Sequence, residues 1–341
     1  MWIGIIVGVV TLLLCLLAGL TWIRGNRAKA ELKAEYPPPG QMLDVGGYRL
    51  HIHCQGDPPV GSPTVVMDAG QGEPGLTWAL VQPEVAGFTR VCTYDRAGLG
   101  WSERGPEPRT AANIVAELHT LLAGAGVDPP YVMVGHSAGG LYVRLFAHTY
   151  PDEVSGLVLV DAGHEERWLR YQESLLRLER LSNRMMTWGL RFLQVLNSVG
   201  LPALNPDSFG SDWPTPIPEP VRGPYLSTMF SGTKCLATLS EEIKAAEGNF
   251  AAVREAKLSP LGDIPLVVVT SGKSELSEGR AISAQEVEHY NKVTAELQAE
   301  LVALSPQGKQ VIAEKSGHYI QIDQPELVID AIREVVEAAR A

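Results

Sequence analysis

YVMVGHSAGG, residues 131–140, begins as an apolar run rich in β-forming side chains and passes into a serine flanked by small residues. The following LYVRLFAHTY, residues 141–150, carries apolar residues at helical spacing. The segment therefore predicts a strand, a sharp turn and a helix. Small residues at Gly135 and Gly139 would let the strand and the helix approach closely while the turn pushes the hydroxyl of Ser137 out of the sheet. Ser137 is the predicted nucleophile.

In this strand-turn-helix setting the G-x-S-x-G pattern resembles the nucleophile turn of the α/β-hydrolases, a large family of serine esterases, lipases and related enzymes. The resemblance covers about residues 40–340. It implies an α/β fold with a mostly parallel eight-stranded sheet and helices on both faces. The chain loses its short strand-helix rhythm from residue 163 to about residue 262, where we expect a helical lid inserted in the sheet order. The predicted units are an anchor at 1–23, a linker at 24–40 and a hydrolase domain at 41–341.

A serine hydroxyl needs a base to accept its proton during attack, and histidine suits this task because its pKa lies near 7. His318 follows the last predicted sheet strand in SGHYIQIDQPELV, which is similar to the family's G-H-x(4-5)-D/E-x-P-E pattern. His318 is therefore the predicted base. The family order allows the acid at Asp161, after the sixth strand, or at Glu275, after the seventh. Asp161 is favoured because it ends a buried strand, where an unpaired carboxylate is costly, whereas Glu275 lies in a polar turn.

Two backbone N–H groups are expected to stabilise the oxyanion that forms during attack. One belongs to Ala138, at the start of the predicted helix, where the helix dipole favours negative charge. The resemblance implies that the other follows a His-Gly pair in the loop after an earlier strand. Ala69-Gly70 occupies that place here, so Gln71 is the matching donor. This chemistry requires no metal and no cofactor.

Residues 1–23 are uncharged and almost wholly apolar, and a run of this length can cross a bilayer. No Lys or Arg precedes the run, and no small-residue cleavage site follows it, so a retained anchor is expected rather than a cleaved signal peptide. Residues 24–40 are predicted to form a helical linker that ends at three prolines. Because four basic residues follow the span, the positive-inside rule predicts a single-pass protein with its catalytic domain on the cytoplasmic face.

Charge and cysteine usage restrict the class of protein. A net charge of -11 argues against a nucleic-acid partner. Cys15 lies in the apolar span, and the other three cysteines are widely spaced with no C-x-x-C motif. Cys54 and Cys92 fall inside strand-like runs, where a buried free thiol is expected. This usage favours a reducing compartment.

The sequence thus predicts a membrane-anchored serine hydrolase that cleaves carboxylic esters through an acyl-enzyme. The anchor, together with aromatic and methionine side chains in the lid, favours a small apolar or lipid-like ester; these side chains are Trp168, Met185, Met186, Trp188 and Trp213. The same machinery also supports hydrolysis of C–C or amide bonds and acyl transfer. Some relatives with this fold are non-catalytic ligand-binding proteins, but these usually lose the serine or the histidine. A serine instead of an aspartate at the turn argues against the haloalkane dehalogenase and epoxide hydrolase branches.

Overall fold

The computed structural model describes residues 2–57, 59–210, 217–276, 279 and 282–340. The strands in this part form one sheet with the order β1-β2-β4-β3-β5-β6-β7-β8. Their bounds are Gln41–Asp44 (β1), Arg49–Gln55 (β2), Thr64–Asp68 (β3), Val91–Tyr94 (β4), Tyr131–His136 (β5), Val154–Val160 (β6), Leu266–Ser271 (β7) and Gly308–Ala313 (β8). The pairs β1–β2 and β2–β4 are antiparallel, and all other neighbours are parallel. The predicted eight-stranded, mostly parallel sheet is confirmed.

Helices surround the sheet and fill the long insertion after β6. Their bounds are Trp2–Glu35 (α1), Gln82–Val85 (α2), Ala111–Gly124 (α3), Ala138–Thr149 (α4), Arg167–Arg170 (α5), Glu173–Ser198 (α6), Leu201–Leu204 (α7), Asp207–Gly210 (α8), Glu219–Phe230 (α9), Lys234–Ala256 (α10), Ala284–Val302 (α11), Ile320–Asp323 (α12) and Pro325–Ala338 (α13). Short 3-10 turns lie at Gly75–Trp78 and Pro151–Glu153.

The central strand β5 is buried on both faces, which explains its unbroken apolar sequence. Alternate side chains of a strand point to opposite faces. Met133 accordingly packs in the core that includes α3 and α4, whereas Val132 and Val134 pack in the core that includes α2 and α13. The two cores fix the sheet between helical layers and hold the carboxyl end of β5 at the centre of the molecule.

The insertion between β6 and β7 contains α5 to α10, and we call it the lid. Its helices α6 and α10 share a small apolar core that includes Leu190, Leu236, Leu239 and Ile243. This helical insertion agrees with the lid expected from the loss of strand-helix rhythm. Trp213, one of the lid aromatics singled out in the sequence, lies outside the described residues.

Helix α1 continues without a break from the apolar run into the predicted linker and ends just before the prolines. By length and composition it could span a membrane over Ile5–Glu35. Beyond the apolar run, α1 packs against the lid. A Cβ on Gly25 would lie 2.4 Å from the carbonyl oxygen of Val199, and Ser227 of α9 donates a hydrogen bond to the carbonyl of Leu32 at 3.0 Å.

The expectation of free thiols at Cys54 and Cys92 is wrong. The two residues lie directly opposite each other on antiparallel β2 and β4 and form a disulfide, with their Cα atoms 4.0 Å apart. Their separation of 38 residues along the chain hides this pairing, because only the strand register brings them together. The disulfide also removes the support that cysteine usage gave to a reducing compartment.

Candidate active site

Ser137 occupies a tight turn between β5 and α4. Its backbone has φ 53° and ψ -119°, an unfavourable conformation for a residue with a side chain. The neighbouring glycines make this turn possible. A Cβ on Gly135 would lie 2.6 Å from the carbonyl oxygen of Gly139, and a Cβ on Gly139 would lie 2.5 Å from that of Asp68. Both distances are too short for a real contact, so these positions require glycine.

The structure brings His318 and both candidate carboxylates together. Nδ1 of His318 lies 2.7 Å from Oδ2 of Asp161 and 2.9 Å from Oε1 of Glu275. The side chain of Asp161 is only 8% exposed, and its other oxygen accepts the Ser271 N–H at 3.0 Å. The side chain of Glu275 is 40% exposed, and its second oxygen accepts the hydroxyl of Tyr290 at 2.9 Å. The sequence offered these carboxylates as alternatives, whereas the structure places both on one imidazole nitrogen.

The two carboxylates change the protonation of the site. Burial disfavours the imidazolium, but the hydrogen bonds and charges of Asp161 and Glu275 outweigh it and raise the pKa of His318 above its ordinary value. Partial burial would raise the pKa of Glu275, but its hydrogen bond to His318 and the positive charge there lower it to about 2. One imidazole nitrogen of His318 and one carboxylate oxygen each from Asp161 and Glu275 lie within 4.8 Å of one another, close enough to hold a metal ion. The hydrogen bond of Asp161 and the ion pair of Glu275 with the imidazole already account for both carboxylates.

His136, beside the nucleophile, supports the loop that carries His318. It is fully buried, and its Nε2 contacts the carbonyl oxygen of His318 at 2.9 Å. Its Nδ1 lies 3.4 Å from Oε2 of Glu73. The polar contacts of His136 are therefore with Glu73 and the backbone of His318.

The loop after β3 presents the predicted oxyanion donor, Gln71. Arg96 fixes this loop by donating to the carbonyl oxygens of Ala69 and Gly70 at 2.8 and 2.5 Å. Glu242, from α10, pairs with Arg96 and accepts the N–H that follows Gln71 at 2.6 Å. Within the described chain, no hydrogen-bond partner is assigned to the N–H of Gln71. The arrangement leaves that N–H available for a ligand.

Ala138 begins α4, and its N–H likewise has no assigned partner among the described residues. It lines the same cavity as Ser137 and Gln71. The structure thus brings the two predicted oxyanion donors to the cavity that contains the nucleophile.

Sequence reasoning missed Glu242, which reaches the loop after β3 from the lid. Its partner Arg96 belongs to the loop that follows β4, with the sequence DRAGLGWS at residues 95–102. Asp95 stabilises this loop by accepting the N–H groups of Gly75 and Trp101 at 2.8 and 2.9 Å. A buried guanidinium such as that of Arg96 requires a carboxylate partner, but 146 residues separate Arg96 from Glu242. Sequence alone does not select Glu242 from the other lid acids.

A cavity of about 720 Å³ lies between the sheet and the lid, and we call it the catalytic cavity. The residues predicted to carry the chemistry all line it; they are Gln71, Ser137, Ala138, Asp161 and His318, with Glu275 beside them. Lid side chains close the opposite wall, among them Trp168, Met186, Tyr225 and Leu239. The lid also contributes Arg167, Glu179 and Asn183, so the roof of the cavity combines apolar with charged and polar side chains.

Comparisons of sequence agree with this architecture. A sequence model of the alpha/beta hydrolase family matches residues 65–331. An AB hydrolase superfamily protein of Gibberella zeae is 27% identical over 289 residues, which cover 82% of this chain and 87% of that protein. Two other relatives are matched over only 19% and 28% of their own length.

Solved structures share the fold. A probable hydrolytic enzyme of Pseudomonas aeruginosa has a TM-score of 0.62 at 20% identity, covering 88% of this chain and 95% of that one. A thermophilic esterase of Thermogutta terrifontis has a TM-score of 0.58 at 19% identity, covering 88% and 99%. Likeness at these identities concerns the fold alone, whereas the sequence match spans most of the chain. The chain belongs to the alpha/beta hydrolase family.

Proposed function

We propose that this protein is a membrane-anchored serine hydrolase that cleaves carboxylic esters with an apolar, lipid-like acyl group. The observation that carries the proposal is the shared cavity. Ser137 at a strained turn and His318 bonded to Asp161 line it, together with two N–H groups that have no partner among the described residues. A nucleophile, an oriented base and oxyanion donors are the groups that acyl transfer through a covalent intermediate requires.

In the proposed reaction, Oγ of Ser137 attacks the acyl carbon while Nε2 of His318 takes the hydroxyl proton. The N–H groups of Gln71 and Ala138 donate to the oxyanion. His318 then returns the proton to the leaving alkoxide as the ester C–O bond breaks. Water attacks the acyl-enzyme by the same steps, releasing the carboxylic acid and restoring the serine.

Asp161 acts in this proposal through His318. Because its carboxylate occupies Nδ1, the imidazole carries its proton there and leaves Nε2 to accept the proton of the nucleophile. The negative charge also stabilises the imidazolium that forms during attack. Asp161 is the better acid of the two because it is closer, less exposed and held by a backbone N–H.

The anchor supports an apolar substrate. Helix α1 is long and apolar enough to span a bilayer, and the roof of the catalytic cavity contains Trp168, Met186 and Leu239. An ester that resides in a membrane would meet this cavity at high local concentration. These apolar side chains of the roof would favour long acyl groups, since each buried methylene contributes about 0.8 kcal/mol.

Two features of the chain give opposite indications of the side of the membrane on which the domain lies. The basic residues after the span favour the cytoplasmic face. The Cys54–Cys92 disulfide favours an oxidising compartment, because cytosolic thiols keep such pairs reduced. The disulfide is the stronger of the two features, because flanking charges only bias orientation and an isolated anchor can insert either way round. The proposed location of the domain is therefore the oxidising face, opposite to the location predicted from the basic residues.

The test is hydrolysis of p-nitrophenyl esters of increasing chain length by the full chain in nanodiscs. The wild-type protein should turn over these esters with kcat/KM rising with acyl length. Ser137→Ala should lose turnover, whereas Ser259→Ala, at an exposed position outside the catalytic cavity, should retain it. A folded protein with no turnover on any ester, or full activity in Ser137→Ala, would contradict the proposal. A rate that does not depend on acyl length would contradict its substrate class.

A further inference from the structure

Helix α6 has a second apolar face that is largely exposed in the described protein. Six apolar side chains, each between 37% and 67% exposed, recur along it at helical spacing. We call them the outer stripe; they are Leu181, Met185, Trp188, Phe192, Val195 and Val199. At 3.6 residues per turn they fall within an arc of about 80°. Leu190, on the opposite face of α6, supplies the contact with the lid core.

The outer stripe ends where the lid meets the anchor. Val199 follows α6 directly, and its carbonyl oxygen contacts Gly25 of α1. The next residue, Gly200, fits so closely that a Cβ there would lie 2.3 Å from the carbonyl carbon of Gly25. Gly25 lies two residues beyond the apolar run of α1. If that run spans the bilayer, as the proposed function holds, this end of the stripe is at the membrane surface.

Charge along α6 complements such a surface. The chain has a net charge of -11, yet no acidic residue occurs between Arg180 and Pro206. Arg184 and Arg191 lie beside the stripe along one edge and form no ion pair with any described residue, and Arg191 lies over the ring of Trp188 at 5.6 Å. A helix with aromatic and aliphatic residues beside arginines is typical of helices that lie in a membrane interface.

An apolar cavity of about 640 Å³ lies between the outer stripe and the catalytic cavity, and we call it the lid cavity. Leu181 and Met185 of the stripe line it. Met186, Tyr225 and Leu239 line both the lid cavity and the catalytic cavity. A continuous series of apolar side chains therefore leads from the exposed face of α6 to the cavity that contains the nucleophile.

We propose that the outer stripe lies in the surface of the bilayer spanned by α1, so that the chain of a membrane ester enters the lid cavity from the lipid. The bilayer is the occupant that the contact with α1 and the arginines beside the stripe favour. The inference rests on the proposed function for the fate of the ester, but the membrane contact itself does not depend on catalysis. Burial of the stripe would remove a large apolar surface from water.

Spin labels on the full chain in nanodiscs test the contact. Labels would replace Trp188 and Phe192 in a Cys15→Ser background, where the buried Cys235 is the remaining thiol outside the disulfide. Ile312 provides the matched control, because it is an exposed aliphatic residue on the edge strand β8. Oxygen dissolved in the lipid should speed the spin relaxation of the labels at 188 and 192, whereas a water-soluble nickel chelate should have little effect on them. The label at 312 should respond in the opposite way. Equal access of the chelate to all three sites would overturn the inference.

Protein number per disc distinguishes a second copy from lipid as the occupant. Protection of the labels in discs that hold one protein copy supports membrane contact. Protection that occurs only with two copies per disc would overturn it in favour of a dimer. Both outcomes are independent of hydrolysis, so they decide the inference even if the proposed function fails.

Activity then tests delivery of the chain. Trp188→Glu combined with Phe192→Glu should lower turnover of a long-chain ester embedded in the disc by about tenfold or more, equivalent to the loss of about 1.4 kcal/mol. Turnover of dissolved p-nitrophenyl acetate should change little, and Ile312→Glu should affect neither substrate. An equal fall on both substrates, or no fall on the embedded ester, would overturn entry from the lipid.

Discussion

At the scale of single residues, the shared contact of Asp161 and Glu275 with one nitrogen of His318 leads to a mutational prediction. Asp161→Asn should lower kcat by about 100-fold or more, because Glu275 only partly replaces the buried acid. Glu275→Gln should cost about tenfold or less, since the closer carboxylate remains. The double variant should fall by about 10⁴-fold. Steady-state kinetics on one ester would measure all three, and a larger loss in Glu275→Gln than in Asp161→Asn would reverse the assignment.

The pH profile gives a second prediction for the same residues. The base must be neutral to accept the serine proton, so activity falls as pH drops through the pKa of His318. Two carboxylates raise that pKa, which places the acid limb above the position expected for an ordinary histidine. Removing one negative charge in Glu275→Gln should lower the pKa and move the acid limb of kcat/KM to lower pH. Tyr290→Phe, which keeps the carboxylate but removes its hydroxyl partner, serves as the comparison. A limb that stays in place or moves upward in Glu275→Gln would exclude an electrostatic role for Glu275.

At the scale of elements, the turn between β5 and α4 depends on close backbone contact. Gly139→Ala would place a Cβ 2.5 Å from the carbonyl oxygen of Asp68, at the end of β3. The backbone must shift to accommodate this Cβ, which should lower the free energy of unfolding by about 1–3 kcal/mol and lower the thermal midpoint. Gly124→Ala is the matched control, because its Cβ would meet nothing within 4 Å. That helical substitution should be neutral or slightly stabilising. Equal midpoints for the two variants would show that the turn tolerates a side chain.

The elements that the sequence predicts well are those with local signals. The apolar run of β5, the small residues around Ser137 and the segment after His318 each occupy a short stretch, and the structure places them as expected. Features that depend on long-range pairing were not predictable. The disulfide of Cys54 with Cys92 depends on strand register, and the contact of Glu242 with the loop after β3 depends on how α10 packs. Neither leaves a periodic pattern in the sequence.

The choice between Asp161 and Glu275 illustrates the same limit. Sequence spacing could place either carboxylate after its strand, and burial of the strand end favoured Asp161. The polar turn around Glu275 gave no sign that Tyr290 of α11 would draw it towards the imidazole. Only tertiary packing shows that both carboxylates contact His318.

At the scale of the whole molecule, the disulfide and the anchor together predict sidedness. An alkaline phosphatase fused to the C-terminus should be active, because that enzyme requires an oxidising compartment, whereas a green fluorescent protein fused there should be dark. In cells quenched with acid and then denatured, which exposes the buried Cys92, both Cys54 and Cys92 should resist maleimide unless a reductant is added first. A bright fluorescent fusion with both thiols reactive would place the domain on the cytoplasmic face, as the flanking charges predict.

The most direct measurement of the central claim is covalent labelling of the full chain by a fluorophosphonate, which phosphonylates activated serines. One adduct per chain should form, peptide mapping should place it on Ser137, and ester hydrolysis should disappear in proportion to labelling. Ser137→Ala should stay unlabelled, and the Asp161→Asn, Glu275→Gln double variant should label far more slowly. A folded wild-type protein that gains no adduct, or gains it on another residue, would contradict the account.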